Sequence, residues 1–284
     1  MKRFLIPALA VLTLVSCRQD ENKLAQKYLD AARASMECGN YADSKLQIDS
    51  IREVYPKAFE ARRQGIRLLQ QVEMAEAERT IAFQDSVLSV LSGKLETEKK
   101  AFVFEKDEKY QDIGIYTVSS QALEKNLGRN YLRAQVDENG RLTIVSNYSG
   151  SSYIHHRSVR LTQGDNFVEA PVSDDFYEFK DLGVCYEKCN FTDGNDGGMA
   201  SFVTMNGDGK IEVQLNGERT LKYTMTDADK KAVRQVYSFS LLLSSISEAA
   251  ALRDEAVRKL QFVKANAAKA ELAEEGADAE SEEK

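Results

Sequence analysis

Two adjacent histidines, His155 and His156, are the residues of this sequence best suited to acid–base chemistry or metal binding. The sequence contains no other histidine. They fall in a predicted strand, 152–161, in which successive side chains point to opposite faces of a sheet. Such a pair cannot easily bind one metal ion, and neither ring is placed to act as the base for a nucleophile. We therefore predict neither a catalytic residue nor a metal ligand here.

Two cysteines, Cys185 and Cys189, share one face of another predicted strand. If that strand is continuous, they lie roughly 13 Å apart. A disulfide requires Cα atoms within about 7 Å of each other, so a bond would need 186–188 to bulge or turn. A structural zinc site would need two further ligands nearby, and none is evident. We predict free thiols that are buried or half-buried.

The segment Asp193–Gly198 is similar to the opening of a calcium-binding loop. An EF-hand requires a bidentate glutamate at the twelfth position, where this sequence has Thr204. The alternative interpretation is a plain polar turn between strands. The sequence also lacks a nucleophile elbow, a phosphate-binding glycine loop and a dinucleotide fingerprint. We expect no cofactor and no enzymatic activity.

Aromatic residues near predicted turns form a candidate binding surface. They are Tyr148, Tyr153, Phe176 and Tyr177, with Phe179 close by. Aromatic rings supply a large contact area, and tyrosine adds a polar group, so such a surface can bind proteins or sugars. The alternative is that these rings belong to the core or edge of a β-sandwich.

The N-terminus carries the features of a secretory signal. Lys2 and Arg3 precede the apolar run Phe4–Val15, and Ser16 then precedes Cys17. The apolar run is too short to span a bilayer as a permanent helix. The tetrad Leu14-Val15-Ser16-Cys17 resembles the lipobox of bacterial lipoproteins. The resemblance implies a signal peptide over 1–16 and lipidation of Cys17, which would hold the protein at a membrane.

The residues that follow the cysteine, 17–21, are predicted to form a lipidated tether. Its acidic residues Asp20 and Glu21 resemble the signal that sends some Bacteroidetes lipoproteins to the cell surface. A solvated linker is the alternative. We therefore expect the protein in the cell envelope, lipid-anchored to the outer membrane, on either its periplasmic or its exposed face.

The charge balance argues against nucleic-acid binding. Without Lys2 and Arg3 of the signal, the remaining chain carries 36 basic and 45 acidic residues, a net charge of −9. Affinity for nucleic acid comes largely from neutralising phosphates with basic side chains. We therefore expect no nucleic-acid partner.

The first part of the mature chain, 22–109, has helical periodicity. The spacing of Gly39 and Pro56 resembles the inter-helix turn and closing proline of a tetratricopeptide repeat. Tyr28 and Ala32 fall at its packing positions, and Ser44 stands where a small alanine is usual. Because one such unit cannot bury its own face, we predict a helical hairpin that packs on the following helix.

Two long segments carry heptad patterns of apolar residues. In the first, the repeating positions are Met74, Ile81, Leu88, Leu95 and Phe102. In the second, 226–270, they are Val236, Phe239, Leu243, Ile246, Ala250, Val257 and Leu260, with Arg253 as the exception. The patterns predict a coiled coil. We favour an antiparallel pair within one chain over a parallel pair between chains, because the intervening segment brings the helices back together.

The segment between these helices, 110–225, changes to a period of two with frequent turns. We predict an antiparallel β-sandwich or barrel-like domain, including a hairpin at 131–145 and a strand at 201–205. The final residues, 271–284, are rich in Glu and Ala, and we predict a disordered acidic tail. The fold class is therefore α+β, with a helical hairpin and a coiled-coil pair flanking an inserted β domain.

The layout resembles Bacteroidetes envelope lipoproteins that join an N-terminal helical segment to a β domain containing 131–146 (YLRAQVDENGRLTIVS). The resemblance brings no catalytic residues. We expect a lipid-anchored binding or scaffold module in which a coiled-coil stalk presents the β domain to a protein or envelope polymer. A glycan-binding accessory lipoprotein and an architectural oligomeric spacer are the alternatives.

Overall fold

The computed structural model describes residues 20–192 and 194–282, with side chains described as far as Ala273. The predicted signal peptide, Cys17 and the first residues of the tether lie outside the described residues, as does Asp193. The chain divides into two compact units. Of the described residues, those up to Ala82 and from Asp254 onward form the helical unit, and those between Phe83 and Arg253 form the β unit.

The two longest helices each contribute to both units. The helices are α1 (Glu21–Glu37), α2 (Tyr41–Val54), α3 (Phe59–Glu98), α4 (Met199–Asn206) and α5 (Asp227–Glu282), and single 3₁₀ turns cover Lys99–Ala101, Ser119–Gln121 and Leu123–Lys125. The strands are β1 (Val103–Glu105), β2 (Ile115–Thr117), β3 (Tyr131–Asp137), β4 (Leu142–Gly150), β5 (Ser158–Gln163), β6 (Asn166–Glu169), β7 (Phe176–Asp181), β8 (Val184–Thr192), β9 (Glu212–Asn216) and β10 (Leu221–Thr224). The chain is therefore α+β, as predicted.

In the helical unit, α1 and α2 form a hairpin that packs on α3 in one apolar core, as predicted. The turn between them uses Gly39 in the left-handed region, at φ +74°. Ala25, Leu29 and Ile51 are buried in this core. Ser44 is also buried, and its hydroxyl donates to the carbonyl oxygen of Ala32 at 2.7 Å. This bond satisfies the hydroxyl and explains how serine is accommodated in a packed helical interface.

A charged cluster joins three helices within the helical unit. The Glu76 carboxylate of α3 accepts from Lys45 of α2 at 2.6 Å and from Lys259 of α5 at 2.8 Å. Burial alone would raise the pKa of Glu76, but the hydrogen bonds from the two lysines lower it. Further along α5, Ala267 lines a cavity together with Arg63 of α3. A later part of α5 thus meets an earlier part of α3, so the two helices run antiparallel in this unit.

In the β unit, the same two helices remain paired. Phe102, just beyond the end of α3, stacks on Phe239 of α5 at a centroid distance of 4.2 Å. The Arg253 Nε donates to Asp85 Oδ1 at 2.6 Å, which explains the one charged residue in the predicted heptad seam. The predicted antiparallel pair within one chain is confirmed.

The predicted seam of α5 is buried in its first part only. Val236, Phe239 and Leu243 are buried as predicted, whereas beyond them the buried row consists of Ala249, Ala256 and Val263. The prediction placed Ala250 and Val257 in the seam, but both are only half-buried. Both rows are apolar, so the pattern alone does not decide which faces the partner helix.

Two antiparallel sheets share the core of the β unit. Their strand orders are β1-β2-β3-β4-β8-β7 and β10-β9-β5-β6. The core lies between their inner faces and also includes apolar residues of α4 and α5. In the predicted hairpin between β3 and β4, Gly140 has φ +88° and its carbonyl oxygen accepts from Ser244 of α5 at 3.1 Å. A Cβ atom there would lie 2.4 Å from the Ser244 nitrogen, so the close approach requires glycine.

Two predictions of secondary structure outside the candidate site are wrong. Ser201–Met205, predicted as a strand, lies in α4, where Phe202 and Val203 pack into the core. A short apolar run is compatible with either structure, and tertiary packing decides between them. The predicted disordered tail is helical as far as Glu282, because its alanines and glutamates favour helix.

No helix in the described part of the chain is both long and apolar enough to cross a membrane.

Candidate functional site

Strands β4 and β8 present different chemistry on their two faces. The strands pair antiparallel, with Asn147 opposite Lys188 and Ser146 opposite Cys189. Because side chains alternate along a strand, Ser146 and Cys189 face the core while Asn147 and Lys188 lie on the outer face. The inner face of the sheet holds a buried polar cluster, and the outer face holds an open groove.

The buried cluster centres on the carboxylate of Glu187 in β8. It accepts four hydrogen bonds from the segment before β5: from the backbone nitrogens of Ile154 at 2.6 Å, His155 at 2.9 Å and His156 at 2.9 Å, and from His156 Nδ1 at 2.6 Å. Burial alone would raise its pKa, but these hydrogen bonds lower the pKa of Glu187 to about 2. The carboxylate is therefore ionised at neutral pH and fixes the course of the 154–156 segment.

His156 links this carboxylate to a serine. Its Nδ1 donates to the Glu187 carboxylate, and its Nε2 lies 3.0 Å from the Ser146 hydroxyl oxygen. The order serine, histidine, carboxylate matches the geometry of a hydrolytic triad. All three side chains are buried, however, and a nucleophile needs an open approach for its substrate. We name Ser146, His156 and Glu187 the carboxylate clamp, because the arrangement holds a chain segment in place.

The two histidines do not lie in a strand, in contrast to the prediction. β5 begins only at Ser158, and His155 adopts the left-handed φ of +52°. Its exposed ring stacks on Tyr153 and lies 3.0 Å from Glu178. The hydrogen bond to Glu178 raises the pKa of His155. The backbone hydrogen bonds to Glu187 hold this segment in its bent conformation. No pattern in the nearby sequence predicts the bend.

Both cysteines of β8 are buried free thiols, as predicted. Cys185 and Cys189 lie on one face of a continuous strand and form no disulfide within the described part of the chain. The Cys189 thiol donates to the carbonyl oxygen of His156 at 2.9 Å. Burial raises the pKa of Cys189 to about 12, so this thiol is protonated and unreactive at neutral pH.

The candidate calcium loop caps a helix with one of its carboxylates. Asp196 accepts from the backbone nitrogens of Gly198 at 3.1 Å and Ala200 at 3.0 Å, at the start of α4. Asp193, the first residue of the candidate loop, lies outside the described residues. Among those described, no group of three or more His, Cys, Asp or Glu side chains is arranged to hold a metal ion.

The predicted aromatic surface does not form one patch. Tyr148 is buried in the core, in contrast to the prediction, and its hydroxyl donates to the Ser152 carbonyl oxygen at 2.7 Å. Phe176 lies at the sheet edge beneath the guanidinium of Arg157, 3.6 Å from the ring centroid. Tyr177 is exposed beside Phe179, with ring centroids 5.5 Å apart.

Tyr177 and Phe179 belong to an aromatic row on the outer face of β7 and β8. Tyr186 continues the row, stacked on Phe179 at 4.8 Å with an interplanar angle of 14°. The faces of these two rings therefore cover each other. A sugar-binding platform would instead present coplanar ring faces to solvent.

Beside this row lies a cavity of about 310 Å³, which we name the outer-face groove. Its apolar lining comes from the outer face of the sheet, from the chain before β3 and from the turn between β7 and β8: Leu123, Leu127, Tyr131, Phe179, Leu182 and Tyr186. Leu182 is 96% exposed and Leu127 is 67% exposed, and both lie at its rim. Exposed apolar residues gathered around a cavity are typical of an interaction site.

Two polar groups of the groove lack partners. The Tyr131 hydroxyl is buried and has no hydrogen-bond partner among the described residues. The Lys188 ammonium forms no hydrogen bond or ion pair with any residue that the structure describes. Burial raises the pKa of Tyr131, so its hydroxyl stays protonated at neutral pH. The groove therefore combines an apolar surface with an unpaired lysine and a buried hydroxyl that has no partner.

Of the predicted aromatic surface, Tyr148 lines the groove although it is buried, and Tyr177 lies beside it next to Phe179. The other residues that form the groove, notably Tyr131, Leu182 and Tyr186, were missed. Leu182 and Gly183 between two period-two segments were a usable signal, because a large apolar residue in a tight turn is exposed. Tyr131 gave no such signal, because its surroundings depend on strands distant in sequence.

Comparison with known proteins does not identify a related site. No family model matches the chain, and neither the curated proteins nor the solved structures contain a significant match.

Proposed function

We propose that this chain is a lipid-anchored cell-envelope protein that acts by binding, and that the outer-face groove is its contact site. The observation that carries the proposal is the groove itself, with exposed Leu127 and Leu182 at its rim and unpaired Tyr131 and Lys188 within it. Soluble surfaces rarely leave such apolar side chains gathered around a cavity without an interaction to serve.

The lipid anchor is inferred from the sequence alone. The lipobox ending at Cys17 follows a basic start and an apolar run. Lipid attached there would hold the protein at a membrane through several acyl chains, which stable anchoring requires. A binding protein benefits from such tethering, because confinement raises its effective concentration toward partners at the same surface.

The anchor is tested by metabolic labelling with an alkyne fatty acid. We expect the wild-type protein and a Cys38→Ser variant to incorporate the label, whereas Cys17→Ser should not. Cys38 is a suitable control because it is an exposed free thiol. Label on the Cys17→Ser variant would contradict the anchor.

The binding site is tested by replacing Leu182 with a photo-crosslinking amino acid in the full-length protein in its own cells. We expect a crosslinked adduct from position 182 that disappears when Leu127→Glu is added at the opposite rim. The same probe at Lys222, exposed on the other sheet, should give no such adduct. Equal adducts at 182 and 222, or none at 182, would overturn the groove as the contact site.

A further inference from the structure

We propose that the outer-face groove binds the C-terminal residue of a partner polypeptide, with an aromatic or branched apolar side chain in the cavity and the terminal carboxylate at Lys188. This inference rests on the proposed binding function and deepens it by stating what the partner presents. The argument uses the size of the cavity, the row of polar groups at its base and the exposed rim.

The cavity has the capacity for one large side chain. Its volume of about 310 Å³ stands at the lower limit of ordinary ligand sites, which range over about 300–1,000 Å³. Phe179 and Tyr186 supply an aromatic wall, and Leu123 and Leu127 supply an aliphatic one. An apolar ring or branched side chain matches this lining, whereas a charged side chain would lose hydration without gaining a partner.

The polar groups form a row across three neighbouring strands. Tyr131 of β3 is opposite Asn147 of β4, which is opposite Lys188 of β8. Adjacent strands lie about 4.8 Å apart, so a group bound above Asn147 is within reach of both neighbours. A carboxylate has several acceptor sites, which suit an ammonium and a hydroxyl donor together.

Lys188 is the cation of the groove that can bind a ligand carboxylate, because the other cation is already paired. Arg129 also lines the groove, but its guanidinium is paired with Asp229 and hydrogen-bonded to Asn126. Asp181 lines the groove at its exposed edge, and no ion pair joins it to Lys188 within the described part of the chain. A ligand carboxylate would therefore supply the charge that Lys188 lacks.

The exposed rim favours a polypeptide end over a free small acid. A free acid that fills the cavity would leave Leu127 and Leu182 in water. A polypeptide that continues away from its last residue can cover them. An internal residue of a polypeptide would fill the cavity but would bring no backbone charge to Lys188. A chain end supplies the apolar side chain and the carboxylate from one residue, and the segment before it can cover the rim.

The test measures fluorescence anisotropy of labelled peptides with the full-length protein in detergent. The probe is Gly-Ser-Gly-Ser-Leu-Phe with a free carboxyl terminus, and its matched controls are the same peptide as a C-terminal amide and one that ends in alanine. We expect the free acid to bind and each control to bind about tenfold more weakly. Unlabelled 3-phenylpropionate should compete only weakly, because it cannot cover the rim.

Variants assign the interaction to named groups. Lys188→Gln should abolish the preference for the acid over the amide, and Tyr131→Phe should weaken binding of the acid several-fold. Lys180→Gln is the matched control, because Lys180 lies on the opposite face of β7 by strand alternation. Unchanged thermal unfolding of each variant ensures that a loss of binding reflects the groove.

Three outcomes would overturn the inference. Equal affinity for acid and amide would exclude carboxylate recognition, and 3-phenylpropionate as tight as the peptide would indicate a small-molecule site. No binding of any peptide, with the position 182 adduct still formed in cells, would refute the chain-end inference and leave the proposed function intact. Loss of that adduct as well would refute both.

Discussion

The two faces of β4 and β8 are built from alternate residues of the same strands, yet they treat polar groups in opposite ways. On the inner face, the Glu187 carboxylate accepts four hydrogen bonds, and His156 uses both ring nitrogens. On the outer face, the Tyr131 hydroxyl and Lys188 have no partner among the described residues. The triad-like arrangement therefore serves the structure of the fold, whereas the unpaired groups of the outer face are the ones that we propose bind a ligand.

The inner face also supports the outer one. Glu187 and Lys188 are neighbours, so hydrogen bonds that fix Glu187 also fix the backbone from which Lys188 projects. Cys189 adds a further bond from β8 to the same 154–156 segment. Binding to a groove on a fixed strand costs less conformational entropy than binding to a mobile loop. The hydrogen bonds of the inner face therefore hold the outer-face groove in place before a ligand binds.

The largest expected effect comes from removing the clamp carboxylate. Glu187→Ala leaves three backbone N–H groups and His156 Nδ1 without their buried acceptor, and we expect a loss of about 3–5 kcal/mol of unfolding free energy. Urea denaturation followed by circular dichroism measures it. Glu178→Ala, which removes the partially exposed partner of His155, should cost less than about 1 kcal/mol. Equal losses would mean that the clamp is not a stabilising feature.

The second effect is a loss of folding stability as the pH falls below 4.5. The pKa of Glu187 is about 2 in the folded protein, against an ordinary value of 4.5. The unfolded state therefore binds the proton more readily, and the stability from this group is complete above pH 4.5 and lost as the pH falls toward 2. The contribution is on the order of 3 kcal/mol.

Comparison with Glu187→Gln isolates that contribution from the other carboxylates with lowered pKa, Glu76 and Asp227. We expect the difference in unfolding free energy between wild type and variant to shrink between pH 4.5 and pH 2. His155 does not interfere, because its raised pKa acts above pH 6.5. A difference that stays constant over the acid range would contradict the ionised clamp.

The third effect is that removal of two different hydroxyls should change the unfolding free energy in opposite directions. Ser146→Ala removes a buried hydroxyl bonded to His156 and should cost about 1–2 kcal/mol. Tyr131→Phe removes a buried hydroxyl without a partner, so it should be neutral or stabilise the protein by up to about 1 kcal/mol. Thermal unfolding of the two variants decides between these signs. A destabilised Tyr131→Phe variant would mean that this hydroxyl is satisfied in the folded protein.

Local features of the fold were predictable from the sequence, because their causes are local. The start of α5 is one example: the Thr226 hydroxyl accepts from the backbone nitrogen of Asp229 at 3.1 Å, which is the hydrogen bond of an N-terminal helix cap. The hairpin of β3 and β4 is another, since Asp137 and Gly140 fix its turn. The heptad helices followed from periodicity over many turns.

The site was not predictable, because its causes are distant in sequence. Glu187 meets His156 across 31 positions, and no pattern near either residue indicates the other. The assignment of His155 and His156 to a strand failed because a distant carboxylate bends that segment. Tyr148 was expected at the surface, but it belongs to the core, where its ring contacts that of His156. Alternation predicts that neighbouring residues face apart, but not which face is covered.

The smallest expected effect lies at the rim of the groove. Leu182 is almost fully exposed, so Leu182→Ser should change the unfolding free energy by less than about 0.5 kcal/mol. Leu132→Ser, in which a fully buried leucine of β3 is replaced, should destabilise the protein severely because it places a polar group in the core. Urea denaturation of both variants provides the comparison. A marked loss from Leu182→Ser would show that the rim is part of the folded core in solution, and the contrast between a structural inner face and a binding outer face would then fail at the residue on which it most depends.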